Sequence, residues 1–274
     1  MANTANKTKF HEQQWALILG ASSGFGLATA KKLAAEGMSI CAVHRDRRGA
    51  MDRIEKEFEQ IRAHGHGLLT LNLDALSADG VNSVIPLLRE KMGEGRVRVL
   101  LHSIAYGNLK PIAPSAGLAE SPLIEEEDMA RTIHSMGTSL LTWVQRLHRE
   151  SLFAPDTRVI GLTSEGNEIA WRGYAAVSAA KCALESVSRS IAVEFAPFGI
   201  RSNIVQAGIT DTPALRLIPG SEQMKANAVA RNPLRRLTTV EDVANAIYLL
   251  AQDEAAWING ALLRVDGGEH IGSA

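Results

Sequence analysis

"WALILGASSGFG" (residues 15–26) is the stretch from which the fold can be read. A short apolar run enters a turn with glycines at 20, 24 and 26, and a helical pattern opens at about residue 24. Gly20 permits the tight turn, while Gly24 and Gly26 permit close approach of a phosphate and of a strand. A helix that begins there offers free N–H groups to a pyrophosphate. Glycines serve any tight strand-to-helix turn, so the weight of this one depends on what surrounds it.

What surrounds it is an alternation. Apolar runs that read as strands fall at 15–19, 38–43, 68–72, 97–101, 157–163, 200–205 and 261–265. Helical patterns fall between them at about 24–36, 47–63, 79–92, 125–150, 174–196 and 240–252. Continuously apolar strands separated by helices imply a parallel sheet covered on both faces. Right-handed crossovers then give an α/β, doubly wound, Rossmann-like sheet of about seven strands. No repeat or low-complexity linker divides the chain, so residues 14–274 read as one domain behind a polar leader at 1–13. Two irregular stretches, 107–123 and 209–233, follow the fourth and sixth strands and should border the ligand crevice; the second reads as a substrate lid.

Composition narrows the partners. The 274 residues are 46% hydrophobic and 22% charged, with a net charge of −1, which gives no electrostatic reason to expect nucleic acid or an anionic membrane. The two cysteines, Cys41 and Cys182, form neither a disulfide framework nor a ligand cluster. His64 and His66 lack acidic or cysteine partners, so no metal site is expected. The polar start "MANTANKTKFHEQQ" holds no signal-peptide core, and no later run could span a bilayer, so a cytoplasmic location is expected.

The second strand ends in "CAVHRDRR" (41–48). A site for NADH usually places a carboxylate there for the ribose 2′-hydroxyl, whereas Arg45 suits a 2′-phosphate. Ser22 and Ser23 could add hydroxyl donors. NADPH is therefore expected over NADH, although Asp46 leaves NADH open and the arginines could simply be a solvated helix start. Farther on, "RGYAAVSAAK" (172–181) sets Tyr174 seven residues before Lys181, a spacing that returns to the same helix face.

With those motifs in place, the sequence resembles the short-chain dehydrogenase/reductase superfamily from about Trp15 to Gly268. The resemblance rests on the glycine turn, the Tyr/Lys helix, "NIVQAGITDT" (203–212) and "VDGG" (265–268). It implies cofactor contacts at Gly20, Ser22, Ser23, Gly24, Phe25, Gly26, Arg45, Asn72, Leu73, Ser103, Ile104, Ala105, Lys181, Gly208, Ile209 and Thr212. Asn72 and Leu73 would line the adenine pocket, and Thr212 would hold the nicotinamide carboxamide. Tyr106, Tyr174, Ala214 and Leu215 would contact substrate. In most of the superfamily the tyrosine stands four residues before the lysine, and here that residue is Val177. The superfamily's serine position, seventeen before the lysine, is Ser164, which could bind the thioester or the ribose or merely cap the strand. His134 replaces a helical asparagine of many relatives.

The wider spacing is similar to the Tyr-x6-Lys of bacterial enoyl-acyl-carrier-protein reductases. "LHSIAYG" (101–107) and the alanine at 207 point the same way, whereas the best-known members carry a second tyrosine where this chain keeps Ser164. The geometry gives the spacing a reason. Conjugate reduction puts negative charge on an oxygen two carbon–carbon bonds beyond the carbon that takes hydride, roughly 2.5 Å. Setting a helical donor back three residues moves it about 4.5 Å and nearly one turn. The expectation is an NADPH-dependent reductase of trans-2-enoyl thioesters, carried on acyl-carrier protein or coenzyme A, in fatty-acid synthesis. Tyr174 would serve the enolate oxygen and Lys181 would lower the phenol pKa. A carbonyl or 3-oxoacyl reductase, or a regulator that binds NADP(H) without chemistry, is the alternative. The small residues of the 174–196 helix, apolar on more than one face, suggest a homo-oligomer, and the resemblance suggests a tetramer.

Overall fold

The computed structural model describes residues 9–114 and 122–273; the expected loop at 107–123 and the leader at 1–13 thus lie partly outside the described residues. Seven strands form one sheet in the order β3-β2-β1-β4-β5-β6-β7, and every neighbouring pair is parallel. They are β1 (Gln14–Leu19), β2 (Ser39–His44), β3 (Leu68–Asn72), β4 (Arg96–His102), β5 (Phe153–Ser164), β6 (Ile200–Ala207) and β7 (Leu262–Val265). The helices are α1 (Gly24–Ala35), α2 (Met51–Arg62), α3 (Ala78–Met92), α4 (Glu126–Ile133), α5 (Ser139–Arg149), α6 (Ala175–Glu194), α7 (Ser221–Arg231) and α8 (Val240–Ala251). The expected doubly wound sheet is present as a single domain.

Both faces of the central strands are covered by apolar clusters. In β1, Ala16 and Ile18 face a cluster with Leu33 of α1, Phe58 of α2 and Ile247 of α8. Trp15, Leu17 and Leu19 face the opposite cluster, with Leu88 of α3, Trp143 of α5 and Leu184 of α6. The period of two along the strand explains this division and why the run is apolar throughout. The chain leaves β1 toward β2 on one side and passes to β4 on the other. That reversal opens a crevice beyond the carboxyl ends of β1 and β4.

Three elements differ from expectation. The helix read over 125–150 is two helices joined by a π-helical turn, His134–Thr138. Gly137 in that turn packs so near α6 that a Cβ would lie 2.7 Å from the Ala180 carbonyl oxygen. The stretch 209–233 is not an irregular lid throughout, because it contains α7. Gly220, at φ +83°, redirects the chain into that helix, a left-handed conformation glycine adopts without strain. α6 begins one residue later than expected, which leaves Tyr174 at its N-cap rather than inside it.

Candidate active site

Two carboxyl-terminal residues of β5 set the positions of the reactive side chains. Ser164, the last residue of the strand, brings Oγ to 3.2 Å from the Tyr174 hydroxyl, and either oxygen can donate. Two residues earlier, the Leu162 carbonyl accepts from Lys181 Nζ at 2.7 Å. Tyr174 is only 8% exposed and Lys181 only 6%. Both side chains are thus referenced to one strand, Tyr174 from the N-cap of α6 and Lys181 from inside the helix.

Tyr174 occupies a slot whose walls the sequence did not advertise. Gly166 forms one wall, since a Cβ there would come within 2.3 Å of Tyr174 Cε1. Trp171 meets the phenol edge-on with centroids 5.3 Å apart. Val177, at the superfamily's usual tyrosine position, packs beside Tyr174 with Met136 and Ala180. The backbone entering α6 is equally confined: Gly173 has φ +76° and would carry a Cβ 2.5 Å from the Leu109 carbonyl oxygen. A glycine two residues after the strand-end serine and a tryptophan before the tyrosine were the signals available, but neither means anything until the loop folds back.

Burial governs the electrostatics. Loss of hydration pushes the Tyr174 phenol up, partly opposed by the Ser164 hydrogen bond. The Lys181 ammonium is pushed down to about 8 by burial, with nearby Glu185 opposing the shift. Burial, and not Lys181, sets the direction at Tyr174, while the Lys181 ammonium donates to Leu162.

A cavity of about 220 Å³ lies against these residues, with Ile104, Leu162, Val177, Ala214, Leu215 and Ile218 among its apolar lining. It opens, through Phe25, Ser103, Ala105 and Thr212, into a groove of about 480 Å³ along the glycine turn. The groove is lined by Gly20, Ser22, Ser23, Gly24, Arg45 and Leu73, whereas Gly208 and Ile209 line the cavity. Gly20, at φ +90°, lets the turn approach β4 so closely that a Cβ would meet the Ser103 carbonyl oxygen at 2.3 Å. Gly26 packs against Gly20 instead of facing the groove, as a helix approaching its strand requires. The N-terminus of α1 has no side-chain hydrogen-bonded cap at Ser23, so its first-turn donors remain for an anion. These groups fit a nicotinamide dinucleotide, whose pyrophosphate the glycine turn and the open N-terminus of α1 would hold.

Besides Gly26, two expected contacts fall elsewhere. Asn72 does not line the groove: its Oδ1 accepts from the Asp46 N–H at 2.9 Å and its Nδ2 donates to the Asp46 carbonyl at 3.1 Å. Its amide is consumed in tying the ends of β2 and β3 together. Tyr106 is absent from the apolar cavity and lines the nucleotide groove, because the turn after β4 carries it outward. His134 accompanies neither Tyr174 nor Lys181; its Nε2 lies 3.2 Å from the Leu76 carbonyl. His102 is buried against Ser139 at 2.8 Å, and burial lowers its pKa to about 3. Among the described residues no group of three potential metal ligands forms, and no helix is long and apolar enough to cross a membrane.

A family model described as "Enoyl-(Acyl carrier protein) reductase" matches residues 20–270. The chain belongs to the short-chain dehydrogenase/reductase superfamily. Cis-4-hydroxycyclohexanecarboxylate dehydrogenase of Sinomonas cyclohexanicum is 32% identical to this reductase-superfamily member, over 92% of the chain and 95% of the relative. The 3-oxoacyl-[acyl-carrier-protein] reductase of Escherichia coli is 29% identical, over 95% and 98%. Among solved structures, a short-chain dehydrogenase/reductase of Mycobacterium ulcerans superposes with a TM-score of 0.81 at 22% identity, covering 97% of this chain and 92% of that one. The promiscuous reductase LugOII, which catalyses keto-reduction at C1 in lugdunomycin biosynthesis, gives 0.79 at 27%, covering 97% and 100%. The protein is thus an oxidoreductase of a superfamily that uses NAD(P)(H). The relatives correct the emphasis on enoyl reduction: the two curated ones above are named for a dehydrogenase and a 3-oxoacyl reductase.

Proposed function

We propose that this protein is an NADPH-dependent carbonyl reductase acting on 3-oxoacyl thioesters borne by acyl-carrier protein or coenzyme A. The observation that carries the reading is the Ser164–Tyr174 hydroxyl pair at 3.2 Å, facing a cavity continuous with the nucleotide groove. Two hydroxyls that close can hydrogen-bond one carbonyl oxygen and stabilise the charge it gains. The dinucleotide, when bound, supplies hydride. Tyr174 holds the proton that passes to the carbonyl oxygen as the carbon–hydrogen bond forms, leaving an alcohol. Its raised pKa keeps that proton in place at neutral pH. Ser164 orients the carbonyl, and Lys181, anchored by Leu162, would hold positive charge near the bound cofactor. Ala214 and Leu215 meet the acyl portion, and the 209–233 segment sets its length. Arg45, at the groove, supports the preference for the 2′-phosphate.

One observation favours a second reading, reduction of trans-2-enoyl thioesters. Val177 fills the superfamily's usual tyrosine position, so the phenol rises from the N-cap of α6, about one turn back. That displacement suits an enolate oxygen remote from the carbon receiving hydride. Acetoacetyl and crotonyl thioesters separate the readings: NADPH consumption with the first alone supports carbonyl reduction, and with the second alone replaces it by enoyl reduction. Consumption with neither supports a cofactor-binding regulator. Tyr174→Phe should lower turnover at least 100-fold while NADPH still binds; unchanged turnover would remove Tyr174 from the chemistry.

A further inference from the structure

A contact between three strand ends crosses the outer mouth of the nucleotide groove. The Arg45 guanidinium, just past β2, lies 4.7 Å from the centroid of the Tyr106 ring, just past β4. The same guanidinium donates from Nη1 to Asp74 Oδ2, just past β3, at 2.7 Å. β1 stands between β2 and β4, so Arg45 and Tyr106 reach one another past the turn that bears Gly20 and Gly24. All of these residues line the same groove. Tyr106 is 51% exposed and belongs to none of the apolar clusters, so core packing does not account for where its ring lies.

The charges around Arg45 make that position consequential. Asp46 is held by His44 Nδ1 at 2.9 Å, which leaves Asp74 as the carboxylate paired with Arg45. A phosphate dianion arriving at this end competes with Asp74 for the same planar fork of donors. Arginine loses its long side chain to solvent readily unless something confines it, and a ring face confines it without neutralising it.

We propose that Tyr106 is a specificity-determining residue of the nucleotide groove: its ring holds the Arg45 guanidinium over the adenosine end, where it receives the 2′-phosphate of an adenine nucleotide in competition with Asp74. The proposal rests on the NADPH reading above. Calorimetric titration of the full chain with 2′,5′-ADP and with 5′-ADP tests it without any reaction. The unsubstituted chain should bind 2′,5′-ADP at least tenfold more tightly. Tyr106→Ala should narrow that ratio roughly two- to fivefold, the range of an exposed cation–π contact. Tyr106→Phe should preserve it, because the ring face remains, and Asp74→Asn should widen it. Equal binding of the two probes by the unsubstituted chain would overturn the NADPH reading. A strong preference that survives Tyr106→Ala unchanged would overturn the role of Tyr106 and leave the NADPH reading standing. A ratio narrowed by Asp74→Asn would overturn the competition.

Discussion

Tyr174 and Gly166 are one unit: the phenol can stand a turn back from Val177 only because residue 166 has no side chain. Gly166→Ala should displace the ring from Ser164, lowering turnover about tenfold and costing roughly 1–3 kcal/mol of stability as an overpacked site. Steady-state kinetics together with denaturant melts check both, and normal turnover would show that the slot is looser than the contact implies. Lys181 carries a pH dependence. Burial lowers its pKa to about 8, so turnover that needs its charge should fall as pH rises through 8. The stability sign is opposite. The folded state releases this proton earlier than the unfolded chain, whose lysine titrates near 10.4, so stability grows between those values. Lys181→Met should therefore raise the melting temperature near neutral pH while abolishing the limb near pH 8. The stabilisation has a ceiling of about 3 kcal/mol.

At the scale of elements, the end of the sheet away from the crevice is held by arginines. Arg98 of β4 and Arg158 of β5 are almost wholly buried, and they donate to the Ala251 and Leu250 carbonyls at the end of α8, each at 3.0 Å. Cations there complement the helix dipole and its unpaired carbonyls. Both, with Arg201, also pair with the Asp156 carboxylate. Asp156→Asn should destabilise the fold by about 2 kcal/mol, less than a fully buried pair because Asp156 is partly exposed, and leave the specific activity of the folded protein unchanged. The arginines hold the Asp156 carboxyl below its usual range against the opposing effect of burial. Its contribution is thus complete above about pH 4 and fades as pH falls through the lowered value. Thermal melts of the two proteins should converge in acid.

For the whole molecule, the outer side of α6 remains open, with small Cys182 and Ser186 and the 75%-exposed Val193. Trp257, just after α8, is 97% exposed. A surface of this kind suits a second copy, and we expect a homo-oligomer. Light scattering at micromolar concentration should give a multiple of the chain mass, and a single monomeric peak would remove the expectation.

The alternation of apolar runs with helical patterns determined a parallel sheet of about seven strands, because a strand buried on both faces must be apolar throughout, and only the structure gave their order. Tyr174 and Lys181 were read from helical period and Ser164 from the family resemblance, and the fold brings the Ser164 and Tyr174 hydroxyls together. Gly166, Trp171, the tied-down Asn72 and the outward Tyr106 were not legible. Their roles arise from atoms brought together by loops distant in sequence, and close approach leaves no periodic trace. The sequence by itself thus set which residues could react, and only the tertiary structure decided their surroundings, since desolvation and contact belong to the packed interior.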